Sequence, residues 1–219
     1  WKDIERVPGH YELQRLDYIV SACKKHDIAV LGVIGYSPEW TGKDWNQPPP
    51  DSAPLLAFVD FIVRRYPSVV YWEFWNEPDS PTYWHPQDEM RTYTRLLKAV
   101  YPVIKAANPG SRVLLGGLTS EGYYALKNVL RKGGGDYFDI VNFHPFVDPL
   151  RKDSLEQAGH KIKHVREELD KYGLHKPIWL TEVGCPGVRN TEGCSWWFGS
   201  CPDERQQASF LRRAYEFHR

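Results

Sequence analysis

The sequence predicts an α/β fold built on a parallel sheet, and three observations carry that expectation. Short runs rich in β-branched and aromatic residues alternate with longer amphipathic stretches along the whole chain. The short runs are apolar on both faces, as strands buried between two layers must be. Polar residues cluster immediately after those runs, at Tyr36-Ser37, Asn76-Glu77, His144 and Glu182. Either an open doubly wound sheet or a (β/α)8 barrel satisfies the alternation. No glycine-rich phosphate loop follows a strand, which argues against a nucleotide-binding open sheet. Polar residues at the C-terminal ends of several strands are the habit of the barrel.

The elements follow in order. Leu13, Leu16, Ile19, Val20 and Cys23 recur at helical spacing within residues 11–25. Residues 28–34 (IAVLGVI) read as a buried strand, followed by a loop rich in Pro and Trp over 35–50. Ser52 caps the next helix, whose apolar face holds Leu55, Val59, Ile62 and Val63. Residues 69–75 (VVYWEFW) form the second strand. A long helix over 88–107 ends at the Asn108-Pro109-Gly110 breaker. Residues 113–115 make the third strand and run into Gly116-Gly117, before a short helix over 122–131. Residues 139–143 (DIVNF) are the fourth strand, 154–172 a helix closed by Gly173, and 178–181 (IWLT) the fifth strand. Asp203 caps a last helix. Nothing marks a second domain, linker or repeat.

Composition narrows the function classes. The 219 residues suffice for one domain with a sizeable core. Nine tryptophans against one methionine fit either a dense aromatic core or stacking platforms for sugars, and composition does not separate the two. Twenty-eight basic residues balance 28 acidic ones, so nothing steers the chain toward nucleic acid or an anionic membrane. No apolar run approaches the roughly 20 residues of a membrane helix. Cys23 stands alone in a helical stretch and is expected to be a buried thiol. Cys185, Cys194 and Cys201 crowd one loop, where a Cys194–Cys201 disulfide is expected. That favours an oxidising compartment and hence a secreted or extracytoplasmic protein. The alternative of a zinc site lacks a CxxC-type spacing.

Two segments concentrate the chemistry. In WEFWNEPD (72–79) Glu77 sits at a strand mouth, preceded by an amide and followed by a proline that stops the strand ladder. In IWLTEVG (178–184) Glu182 sits where an apolar strand opens into a loop. Glycosidic bond cleavage needs two carboxyl groups flanking one bond. In a parallel barrel, two glutamates at C-terminal strand ends face the same mouth however far apart they lie in sequence. One must hold a proton, which burial or a nearby negative charge favours, and the other must be ionised. Asn76 is placed to hydrogen-bond the hydroxyl beside the anomeric carbon.

The NEP triplet at a strand end, with a second glutamate about 100 residues later in a TE segment, resembles clan A of the glycoside hydrolases. The extended pattern is most similar to glycoside hydrolase family 39 and its cellulase-like relatives: FWNEPD with the Tyr83-Trp84 pair after it, GGLTS, DIVNFHPF and PIWLTEVG. The resemblance covers nearly the whole chain. It implies a retaining enzyme on a (β/α)8 (TIM) barrel, with Glu77 as acid/base after strand four and Glu182 as nucleophile after strand seven. It implies a carbohydrate substrate, β-xylosides among those the family suggests, and no metal or organic cofactor. The two carboxyl groups are then expected roughly 5 to 5.5 Å apart, against 8 Å or more for an inverting site. On this mapping strands three to seven are present, and strands one, two and eight have no counterpart. The expectation is a catalytic domain truncated at both ends, with two open sheet edges and little activity by itself. Phe146 also replaces a tyrosine often found two residues after the strand-six histidine.

The remaining residues carry paired readings. Glu73 is expected to share a face with Trp75 and Glu77 and to be a structural acid with a partner. His144 resembles the family's site histidine and is either a substrate contact or a hydrogen-bonded structural residue. Tyr36 belongs with the strand-end polar residues that contact substrate. Trp40, Tyr83 and Trp84 either stack on sugar or anchor their loops. Trp196, Trp197 and Phe198 are expected to wall the cleft. His10, His26, His160, His164 and His175 show no ligand spacing, and Glu39 and Glu121 read as ordinary loop acids. Two further function classes stay open: a carbohydrate-binding protein that keeps the cleft without turnover, and an α/β nucleotide or redox protein, which lacks its phosphate loop and CxxC motif.

Overall fold

A computed structural model describes residues 1–188, 194, 197 and 199–217. Five parallel strands appear in chain order: β1 (Leu31–Ile34), β2 (Tyr71–Asn76), β3 (Arg112–Gly117), β4 (Val141–Asn142) and β5 (Ile178–Trp179). β2 pairs with β1 on one side and β3 on the other, and β4 pairs with β5. Two parallel bridges, Leu114 to Ile140 and Leu118 to Phe143, join β3 to β4. Each strand therefore neighbours the one before it. That sequential order is the barrel's; a doubly wound sheet would reverse its order at a switch point. Among the described residues β1 and β5 do not pair with each other, so the barrel is partial and open. Val33, 52% exposed, marks the open β1 edge.

Helices α1 (Gln14–Lys25), α2 (Ala53–Arg65), α3 (Arg91–Ala107), α4 (Tyr123–Arg131), α5 (Ser154–Asp170) and α6 (Glu204–Phe217) fill the connections. None is long and apolar enough to cross a membrane. The main core lies between the sheet and α2, α3 and α4. Leu55, Phe58, Val59 and Ile62 of α2 and Tyr93, Leu96, Leu97 and Val100 of α3 join Trp72, Phe74, Val113 and Leu115 in one buried cluster. Each such fully buried side chain contributes about 1.5–3 kcal/mol by leaving water. α1 contributes no buried residue, and Cys23 is half-buried rather than buried. A helix beside an open sheet edge has only part of a surface to cover.

Several boundaries moved from the sequence expectation for local reasons. α1 starts at Gln14, because the Glu12 N–H is bonded to the Ile4 carbonyl and holds the preceding chain against the N-terminal segment. Ser52 makes no side-chain cap; Asp51 accepts from the Ala53 N–H instead. Asp203 does cap α6, and the cap is reciprocal. Its carboxylate accepts from the Gln206 N–H at 2.7 Å, and the Gln206 side chain accepts from the Asp203 N–H at 2.8 Å. Cys194 and Cys201 form the expected disulfide, leaving Cys185 as a half-buried free thiol. Trp196 and Phe198 lie outside the described residues.

Candidate active site

The site grows from the way β2 ends. Phe74 pairs with Leu115 and Asn76 with Gly117, while Trp75 between them is left-handed, φ +69°. Glu77 follows at φ +43°. Non-glycine residues in this region cost on the order of 1–3 kcal/mol each unless their surroundings hold them. Here several bonds do so. The Trp75 indole N–H donates to the Tyr83 carbonyl at 2.8 Å, and the Glu77 N–H donates to the Gly117 carbonyl at 2.9 Å. Asp79 accepts from both the N–H and the hydroxyl of Thr119, tying the NEPD turn to the GGLTS turn. The twist at Trp75 also breaks strand alternation. Trp75 joins Phe74 in the main core instead of sharing the face of Glu73.

Three sequence-predicted residues meet at the strand ends. His144 is buried, and its Nδ1 lies 3.0 Å from Glu77 Oε1 and 3.7 Å from Glu182 Oε2. One oxygen of each glutamate and a ring nitrogen of His144 all fall within 4.8 Å of one another. That same trio is a set of ligands that could hold a cation. Exposure separates the two acids: the Glu77 side chain is 13% exposed and that of Glu182 is 49%.

A hydrogen-bonded chain runs through this cluster. The Thr181 hydroxyl donates to Asn142 Oδ1 at 2.8 Å, and the Thr181 N–H points at the same oxygen. His144 Nε2 lies 3.1 Å from the Thr181 hydroxyl oxygen and Nδ1 lies 3.0 Å from Glu77 Oε1, so the imidazole bridges the Thr181–Asn142 pair and Glu77. Asn142 and Thr181, which order this chain, were not singled out from the sequence. Their signal was only their place within DIVNF and WLTE.

A second acid lies beneath the first. Glu73 is buried and accepts from the Gly117 N–H at 2.8 Å. Burial pushes its carboxyl group up to about 7, against the pull of that N–H, of His144 and of the Asn142 side chain, with a further push from Glu182. Gly117 must be glycine, since a β-carbon there would fall on the His144 ring. Burial likewise raises Asp79 above the usual carboxylate range, opposed by its bonds to Thr119.

The aromatic expectations divide. Tyr36 is at the site. Its hydroxyl faces the Asn76 side chain and lies within electrostatic reach of Glu77 and Glu182; burial raises it above the ordinary phenol value. Trp197 meets Phe146 edge to face at 5.7 Å, and Phe146 meets His144 at 6.2 Å, which puts Trp197 on the flank of the histidine. Trp84 is a correction. It is 1% exposed and wedged edge-on against Trp75 at 4.8 Å and Tyr93 at 5.7 Å, so it is core and offers no face to a ligand. Trp40 is a second correction. It packs edge-on against Trp1 and donates to the Glu5 carbonyl, an anchor for the N-terminal segment.

Solved structures share this fold. A family 39 glycoside hydrolase from the gut symbiont Bacteroides cellulosilyticus is 24% identical, with a TM-score of 0.74 over 99% of this chain and 46% of its own. A psychrophilic family 10 endo-β-1,4-xylanase is 14% identical, with a TM-score of 0.71 over 99% of this chain and 70% of its own. A third structure, a mutant in complex with xylotriose, is 18% identical, with a TM-score of 0.67 over 100% of this chain and 69% of its own. The chain thus spans less than half the length of the family 39 enzyme. No family model matches the sequence, and no curated protein matches it. In fold, the chain is a partial (β/α)8 barrel of the kind found in glycoside hydrolases of families 39 and 10.

Proposed function

We propose that this chain carries the catalytic centre of a retaining clan A glycoside hydrolase acting on β-linked xylosides or xylan-like chains. The observation that carries the reading is the approach of Glu77 and Glu182, whose nearer oxygens lie within 4.8 Å with His144 beside both. Retaining enzymes hold their carboxyl groups about 5–5.5 Å apart, whereas inverting ones leave roughly 6.5–9.5 Å for a water. The choice of xyloside follows the xylanase and xylotriose-bound proteins that share the fold.

Environment divides the labour. Glu77 is sheltered and hydrogen-bonded to His144, so it is the group equipped to protonate the leaving oxygen. Glu182 is open to solvent and to an approaching anomeric carbon, so it is the nucleophile. Attack by Glu182 breaks the glycosidic bond as the Glu77 proton moves to the departing oxygen. Glu77, now ionised, takes a proton from water, and the resulting hydroxide equivalent releases the sugar from Glu182 with retained configuration. Asn76 is placed for the neighbouring sugar hydroxyl. No step requires a metal or organic cofactor.

The test is hydrolysis of an aryl β-xyloside, with the first-formed anomer read by NMR. Appearance of the β-anomer first supports the reading, and the α-anomer first sinks it. A second reading, a xylan-binding protein without turnover, rests on the open barrel. Saturable xylo-oligosaccharide binding with no release of aryl alcohol would select it.

A further inference from the structure

Trp45 was not among the residues the sequence singled out, and among the described tryptophans it is the exposed one. It is 40% exposed, while Trp84 nearby is sealed in the core. Its ring is nevertheless held. Tyr36 meets it at 5.0 Å and 82°, and Tyr83 at 6.3 Å and 70°. The loop beneath it is stapled to two parts of the barrel mouth. The Ser37 N–H donates to the Trp45 carbonyl and the Ser37 hydroxyl to the Gln47 carbonyl, which fixes the loop to the end of β1. The His85 N–H donates to the Asn46 carbonyl, and the Asn46 amide to the Thr82 carbonyl, which fixes it to the loop after β2. An exposed indole on such a frame is organised before any ligand arrives, so little rotamer freedom is lost on binding.

The ring borders a groove of about 700 Å³ whose other walls include Lys43, Asp44, Asn46, Gln47 and His85. These are hydrogen-bonding groups of both charge signs around one aromatic face. That mixture suits a neutral, hydroxyl-rich ligand and gives no advantage to an anion or a cation. One side chain stands between this groove and the acids. Tyr36 touches Trp45 on one side and Trp75 on the other, and its hydroxyl meets Asn76, the residue before Glu77.

We propose that Trp45 and this groove form a distal subsite that binds a further sugar residue of a neutral β-linked oligosaccharide, beyond the residue held at Glu77 and Glu182. The apolar C–H face of a pyranose lies on the indole, and its equatorial hydroxyls meet the polar walls. The inference rests on the carbohydrate reading of the site. It deepens that reading by assigning the chain to oligosaccharides, as opposed to terminal monosaccharide glycosides.

The test is calorimetric titration of the 219-residue chain, carrying Glu182→Gln to prevent turnover, with xylobiose, xylotriose and xylotetraose. The expected result is a dissociation constant that falls about fivefold to tenfold from xylobiose to xylotetraose, the size of one aromatic contact. Trp45→Ala should abolish that gain with length, and Trp45→Phe should keep most of it. Circular dichroism checks that both variants are folded. An undiminished gain in Trp45→Ala overturns the proposal, as does the absence of any gain in the parent. Binding of none of the three by the parent overturns it too. Aryl xyloside hydrolysis by the chain with Glu182 intact is measured separately. Failure there, with length-dependent binding retained, removes the hydrolase reading and leaves the subsite standing.

Discussion

The ends of β2 and β5 present the same side chain in opposite settings. β2 has six residues and a partner on each side, and of the two left-handed residues at its end Trp75 is held by the Tyr83 carbonyl and Glu77 by the Gly117 carbonyl of β3. Its Glu77 is sheltered and within hydrogen-bond distance of His144. β5 has two residues and, among the described residues, pairs with β4 alone, and its Glu182 side chain is about half exposed. A proton donor gains from a rigid, dry site with a neighbour that holds the proton; a nucleophile needs access. On the proposed reading, the contrast teaches that strand length and pairing, rather than residue type, suit one acid to proton donation and the other to attack.

The sharpest way to break the comparison is to remove each acid. Glu182→Gln should lower aryl xyloside turnover about ten-thousandfold or more, with nothing restored by azide. Glu77→Ala should cost about a hundredfold to ten-thousandfold, and azide should restore turnover with a β-glycosyl azide as product. Identical behaviour of the two variants would erase the distinction.

The next effect lies in the shelter itself. Glu73 has a folded value of about 7 against an ordinary 4.5. Between those values the folded chain keeps a proton that the unfolded chain has released, so stability falls as pH rises through that window. The full loss above pH 7 amounts to about 3 kcal/mol. Glu73→Gln, which can still accept from Gly117, should flatten the urea midpoint between pH 4.5 and 8 and exceed the parent at pH 8. An unchanged pH profile would show that Glu73 is not the buried acid responsible.

A smaller perturbation is Gly117→Ala, whose methyl collides with His144. Overpacking of this kind costs about 1–3 kcal/mol, read as a lower melting temperature. Turnover should fall with it, because His144 leaves Glu77. The smallest effect belongs to the β5 side: Asp203→Ala removes the reciprocal cap of α6 and should cost about 1 kcal/mol. Turnover should remain, since Asp203 touches neither acid.

Much of this was legible before the fold was known. Helical spacing and doubly apolar runs located the five strands and six α-helices of the described residues, because burial on a regular element repeats with its geometry. The edges read less well. The fourth and fifth strands were expected at five and four residues but pair over two each, since a strand's length depends on what its neighbours offer. Within the site, Glu77, Glu182, Asn76, Tyr36 and His144 were named from motif and position. Trp84 was offered as a substrate contact and is core, while Trp45, exposed at the rim, was not singled out. Both are loop tryptophans, and nothing local says which one folds under Tyr93 and which one rests on Tyr36.

The sequence alone therefore determined the parallel β/α alternation and the two glutamates at strand ends, because periodicity and strand-to-loop transitions are local. Only the tertiary structure decided which acid is sheltered, where Glu73 finds its N–H donor, and which indole faces the groove. Those depend on residues some 40 to 70 positions apart, such as Glu73 with Gly117 and Glu77 with His144, meeting at one rim.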